Sequence, residues 1–87
     1  MSKKIYVGNL NFATTESSLR ELFMGFGVVE ELSIVTDKAN GVSKGFGFVT
    51  MNSQETAVAA IKALDGQDFE GRRLRVNAAR EKPSGIA

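Results

Sequence analysis

The chain has no cysteine, no histidine and no tryptophan. Without thiols there can be no disulfide and no thiolate metal site. Without imidazole, histidine-based proton transfer and histidine metal ligation are excluded too. Proline occurs once, and no apolar run approaches the roughly 20 residues of a membrane-spanning helix. An excess of charge of one sign is also missing: Lys and Arg total 11 against 10 Asp and Glu, for a net charge of +1. A chain that gathered polyanions by its overall field would carry more. No metal, cofactor or membrane partner is therefore expected, and a cytoplasmic placement is the simplest expectation.

What is there suits one small folded domain with a modest core: 87 residues, 43% hydrophobic and 24% charged. Charge is unevenly placed. Lys3 and Lys4 open the chain, and Arg72, Arg73, Arg75, Arg80 and Lys82 crowd its last segment. The acids gather elsewhere, at Glu16, Glu21, Glu30, Glu31, Asp65, Asp68 and Glu70.

The most informative stretch is Lys44-Gly45-Phe46-Gly47-Phe48-Val49-Thr50-Met51. In a strand, alternate side chains share a face. Lys44, Phe46, Phe48 and Thr50 then lie on one face; Gly45, Gly47, Val49 and Met51 lie on the other. A lysine beside two phenylalanines would be buried without a partner if that face were core. As an open platform the same face offers flat rings for bases and a cation for phosphate. The glycines leave room on the opposite face for a covering helix.

This stretch resembles the RNP1 motif of the RNA recognition motif family, K/R-G-F/Y-G/A-F-V-x-F/Y, with Met51 in place of the final aromatic. Ile5-Tyr6-Val7-Gly8-Asn9-Leu10 resembles the family's RNP2. The likeness runs from about Lys4 to about Arg80, and is strongest to small single-domain bacterial members, with some to plant glycine-rich RNA-binding proteins. Because Met51 faces inward, its departure from the motif concerns packing and not base stacking.

Taken in order, the chain reads as β-α-β-β-α-β. Lys4 to Asn9 forms a first strand with Ile5 and Val7 inward and Lys4, Tyr6 and Gly8 outward. Phe12 falls at the core edge. Thr14-Thr15 caps a helix whose Leu19, Leu22, Phe23 and Phe26 make one apolar stripe, with Gly27 at its C-terminal end. A second strand spans Val28 to Asp37, with Leu32 and Ile34 inward; Val29 joins them only through an irregularity near Glu30-Glu31. Asn40-Gly41 is the strongest turn signal. After the third strand, Ser53 caps a helix to about Leu64, whose Ala57 and Ala60 are expected against Gly45 and Gly47. Gly66 ends that helix. Arg73 to Ala79 is the last strand, with Leu74, Val76 and Ala78 inward and Arg73, Arg75, Asn77 and Ala79 outward. Residues 1–80 are thus expected to form a single domain, and 81–87 a flexible tail.

The order predicts an α+β, ferredoxin-like sandwich, a four-stranded antiparallel sheet with two helices on one face. The family resemblance implies single-stranded RNA as ligand, with single-stranded DNA a further candidate, a monomer, and a role in post-transcriptional regulation or RNA chaperoning. It implies that Tyr6 and Phe48 stack on bases, that Phe46 lies against a sugar or between bases, and that Lys44 meets a phosphate. Asn9, Arg75 and Asn77 become candidates for polar contacts, and Arg73 and Arg80 for phosphate. Two other classes compete. A protein-binding sheet or helical face would fit altered ring positions, yet all three rings are in place. An acylphosphatase-like enzyme would need a phosphate loop with arginine before the first helix, and Asn11-Phe12-Ala13-Thr14-Thr15 has none. No catalytic residue is expected.

Overall fold

The computed structural model describes residues 3–37, 39, 41 and 43–79. Its elements are β1 (Lys4–Gly8), α1 (Glu16–Met24), β2 (Val29–Thr36), β3 (Ser43–Met51), α2 (Gln54–Leu64), a short hairpin of β4 (Asp68–Phe69) and β5 (Arg72–Arg73), and β6 (Arg75–Ala78). The main sheet is antiparallel in the order β2-β3-β1-β6, with β1 and β3 at its centre. This is the ferredoxin-like α+β arrangement, with the small hairpin inserted before the last strand.

The apolar half of the alternation meets the apolar stripes of both helices in one cluster. Ile5, Val7, Val49, Met51 and Val76 from the sheet pack with Leu19 and Phe23 of α1 and Ala57, Ala60 and Leu64 of α2. Each helix starts where a hydroxyl satisfies a first-turn amide. The Thr15 side chain accepts from the Ser18 N–H, and the Ser53 side chain from the Thr56 N–H. The register of β2 against β3 shifts between Val29 and Glu31, so Val29 turns inward as its sequence position requires.

Several expectations are corrected by the packing. The first helix ends at Gly25, short of Gly27, because the Phe26 N–H turns back to the Phe23 carbonyl at 3.0 Å. Phe12 is 64% exposed and not core, since Leu10 and the buried Thr14 occupy the interior on either side of it. Thr14 is held there by donating its hydroxyl to Glu70 Oε1 at 2.6 Å. Arg73 belongs to the hairpin, opposite Asp68, and not to the last strand. Ala78 is exposed and Ala79 buried, so the alternation breaks at the end of β6, where the Ala79 N–H still donates to the Lys4 carbonyl at 2.9 Å. The turn expected at Asn40-Gly41 and the tail expected over 81–87 lie outside the described residues.

The glycines of β3 also serve a different neighbour from the one expected. A Cβ at Gly47 would meet the Ser33 carbonyl oxygen, with Ile34 Cα 3.0 Å away. The close approach comes from the adjacent strand β2, not from the alanines of α2. Gly45 has φ 87°, in the left-handed region where a side chain is strained, and the register between β2 and β3 shifts again beside it. The Leu10 N–H donates to its carbonyl at 2.8 Å, which ties the end of β1 to this kink.

Met51 is fully buried opposite Val29. Met51→Phe adds volume to a filled core and is expected to cost about 1–3 kcal/mol of stability. Ligand binding on the opposite sheet face should be unchanged. Chemical denaturation beside a binding titration checks this; an altered affinity at unaltered stability would place Met51 on the wrong face.

Candidate nucleic-acid interface

The face of the sheet turned away from the helices is built in rows. One row runs Ser33, Phe48, Tyr6, Asn77 across the four strands, each residue paired with the next. Two residues along, Glu31 pairs with Thr50 and Thr50 with Lys4. On the other side of the ring row, Gly8 stands opposite Arg75. Pairing of β1 with β3 therefore brings together residues more than 40 positions apart, which is the step a linear motif leaves out.

Tyr6, Phe46 and Phe48 form a closed triangle of rings. Centroids are 5.9 Å apart for Tyr6 with Phe46 and with Phe48, and 6.2 Å for Phe46 with Phe48. The two phenylalanines meet edge to face at 89°, and Tyr6 is tilted 34° and 63° to them. Such edge-to-face contacts are the favoured arrangement of ring quadrupoles. Each ring is half-buried and in contact with the other two before any ligand arrives. The Lys4 ammonium sits 5.0 Å from the Phe48 centroid, within cation–π range. Tyr6 lies along its own strand over Gly8; a Cβ at Gly8 would come within 2.5 Å of the phenol oxygen. Glycine at that position lets the ring lie down on the sheet.

The polar candidates separate into groups. Asn77 and Arg75 are exposed on β6, beside Tyr6 and Gly8. Lys44 is exposed on β3, beyond Gly45. Simple alternation from Phe46 back to Lys44 passes through that kink, so parity alone does not assign Lys44 to the ring face. Asn9 is engaged within the protein. Its Nδ2 donates to the Arg73 carbonyl at 2.6 Å, and its Oδ1 accepts from the Arg72 guanidinium at 2.6 Å. Its φ of 60° is one that asparagine tolerates better than most residues. Asn9 thus latches the end of β1 to the β4–β5 hairpin. Arg73 is exposed on that hairpin, and Arg80 lies outside the described residues. Three neighbours of the rings were not singled out from sequence: Lys4, Thr50 and Ser33. The alternation that placed Tyr6 and Phe48 on this face carries them with it.

Among the described residues no helix is long and apolar enough to cross a membrane, and no three acidic side chains cluster as a metal site. A description of the RNA recognition motif matches residues 5–75. The chain belongs to the RNA recognition motif family. Within that family it is 44% identical over 84 residues to glycine-rich RNA-binding protein 4, mitochondrial, of Arabidopsis thaliana, covering 97% of this chain and 62% of that protein. It is 46% identical over 85 residues to glycine-rich RNA-binding protein 1 of Mycosarcoma maydis, covering 98% of this chain and 49% of that one. The chain thus spans about half to three-fifths of the length of these curated relatives. They are plant and fungal, which meets the expected likeness to glycine-rich proteins and not the expected bacterial one. The crystal structure of RNA Binding Protein PG1 superposes with TM-score 0.89 at 43% identity, covering 95% of this chain and all of that one.

Proposed function

We propose that this chain is a single-stranded RNA-binding module. The observation that carries the proposal is the ring triangle of Tyr6, Phe46 and Phe48 on a sheet face left open by both helices, with a lysine ammonium over one ring. Rings of this kind accept any unstacked base on their flat faces. Tyr6 and Phe48 stack on bases, Phe46 supports a sugar or fills between bases, and Arg75 and Asn77 make polar contacts at the β6 side. Lys44, Arg73 and Arg80 supply phosphate contacts. Asn9 braces the end of β1 through one bond at each end of its amide, which leaves a second Nδ2 hydrogen and a second Oδ1 lone pair for a polar contact with the RNA strand. The function needs no catalytic group, and we assign none. Residues 1–80 serve as one monomeric binding domain. The names of the plant and fungal relatives and of RNA Binding Protein PG1 support the same reading.

Cytoplasmic placement is part of the proposal and rests on the sequence alone. The Arabidopsis relative is named mitochondrial. Fractionation of cells producing the chain decides between the two, and recovery with organelles would overturn the cytoplasmic assignment.

Salt dependence tests how binding is divided between rings and charges. With a net charge of +1 there is little general field to gather phosphates. If about two to four phosphates are neutralised, the slope of log affinity against log salt should be roughly −1.4 to −2.8 for a single strand. Duplex RNA should bind more weakly, because its bases are already stacked on one another. Titration of short single-stranded and duplex RNA across a salt series measures both. Equal binding of the two forms with a much steeper slope would assign binding to the basic segments and not to the sheet.

A further inference from the structure

Beside Phe48 the open face dips into a groove of about 380 Å³ lined by Lys4, Arg20, Glu31, Leu32, Ser33, Phe48 and Thr50. Its floor is the row Glu31, Thr50, Lys4, one residue from each of three adjacent strands. Two strand spacings, about 10 Å, separate the backbones at the two ends of this row. The groove thus offers a carboxylate at one end, a hydroxyl in the middle, an ammonium at the other end and an aromatic wall. Arg20 reaches its rim from α1.

Glu31 is the informative member. A carboxylate on a face that meets phosphates repels the ligand, unless it receives donors from a base. Among the four bases only guanine presents two adjacent donors, N1–H and N2–H, and one carboxylate can accept both at once. Uracil has a single N–H set between two carbonyls. Adenine and cytosine place a ring acceptor beside the amino group, facing one carboxylate oxygen with a lone pair. Next to its donors guanine carries O6, and beyond it N7, the acceptors that an ammonium takes.

We propose that this groove is a guanine-selecting subsite. Glu31 accepts N1–H and N2–H, and Lys4 donates to O6 or N7. The Thr50 hydroxyl lies between them, and Phe48 closes one side. Arg20 meets the adjoining phosphate. The proposal rests on the RNA-binding reading and adds to it a base identity that stacking alone cannot supply.

The test uses short oligouridine strands carrying one central guanine, adenine, cytosine or inosine, so that any binding register can bring that base into the groove. Fluorescence anisotropy titrations are run on wild type, Glu31→Gln and Phe48→Ala. The wild type should prefer the guanine strand over the others by roughly 5- to 150-fold, the range for one good bidentate pair. Inosine lacks the N2 amino group and should lose most of the preference. Glu31→Gln should lose it as well, because an amide offers one acceptor where two are needed. Glu31 is exposed, so this variant keeps the fold. Phe48-dependent binding with no guanine preference would overturn the subsite and leave the RNA reading standing. So would a preference that survives inosine or Glu31→Gln. Binding that does not depend on Phe48, or no binding to any strand, would overturn the RNA reading itself.

Discussion

Phe48→Ala should bind single-stranded RNA about 5- to 150-fold more weakly than wild type and unfold at nearly the same denaturant concentration. The affinity loss corresponds to the roughly 1–3 kcal/mol of a lost base–aromatic stack. Stability should change little, because the ring covers other rings on the open face and no part of the core. Tyr6→Ala should behave in the same way. Phe23→Ala should do the opposite. Phe23 is fully buried between α1 and the sheet, and removing its ring costs about 3–5 kcal/mol by opening a cavity. For a domain whose whole stability is on the order of 5–15 kcal/mol, that is a large part of the total. The folded fraction of Phe23→Ala should still bind RNA normally, and Phe23→Leu offers a milder version should the alanine variant be too unstable to titrate. Paired denaturation and binding curves separate the two faces. Wild-type affinity in Phe48→Ala would mean that the rings are not the platform.

The contrast was legible in the sequence for a physical reason. Alternation of period two assigned Ile5, Val7, Val49 and Met51 to the core and Tyr6, Phe48 and Thr50 to the open face, and burial agrees at each. The helical spacing of Leu19 and Phe23, and of Ala57, Ala60 and Leu64, was equally clear, since amphipathic packing needs little more than the period. Even the irregularity at Glu30-Glu31 could be read, because Val29 had no other way inward.

What could not be read depends on contacts distant in the chain. Asn9, polar and next to last in the RNP2-like stretch, gave no sign in the sequence of its part in holding the hairpin. Its partners, Arg72 and the Arg73 carbonyl, lie more than 60 residues away on a hairpin of only two residues per strand, too short to show a period. Phe12 looked like core because it is aromatic. Thr14 took the interior place through a partner, Glu70, that is 56 residues distant. Glu31 and Lys4 sat in separate charge groups, and only the shared neighbour Thr50 puts them at the two ends of one row.

The clearest disagreement between local pattern and fold is at Gly47, and it yields a sharp expected result. Gly47→Ala should destabilise the domain by about 3 kcal/mol, at the upper end of ordinary overpacking. The added methyl meets the backbone of Ser33 and Ile34. A side chain could rotate away, but a strand backbone can yield only by giving up its pairing with β3. Restricting the unfolded chain returns only about 0.4–1 kcal/mol, so the clash decides the sign. The melting temperature should fall by roughly 12–24 °C, from about 4–8 °C per kcal/mol for a domain of this size. Because Ser33 stands opposite Phe48, the displaced strand should also loosen the groove beside the ring. A double substitution separates this account from the helix-covering one. If α2 were the close neighbour, Ala60→Gly would make room and rescue Gly47→Ala. With β2 as the neighbour, the two losses should instead add to within about 0.3–0.5 kcal/mol, since Ala60→Gly weakens its own helix and removes one buried methyl without making room beside Gly47. Rescue by Ala60→Gly, or a Gly47→Ala variant that melts with wild type, would show that β2 does not press on this position.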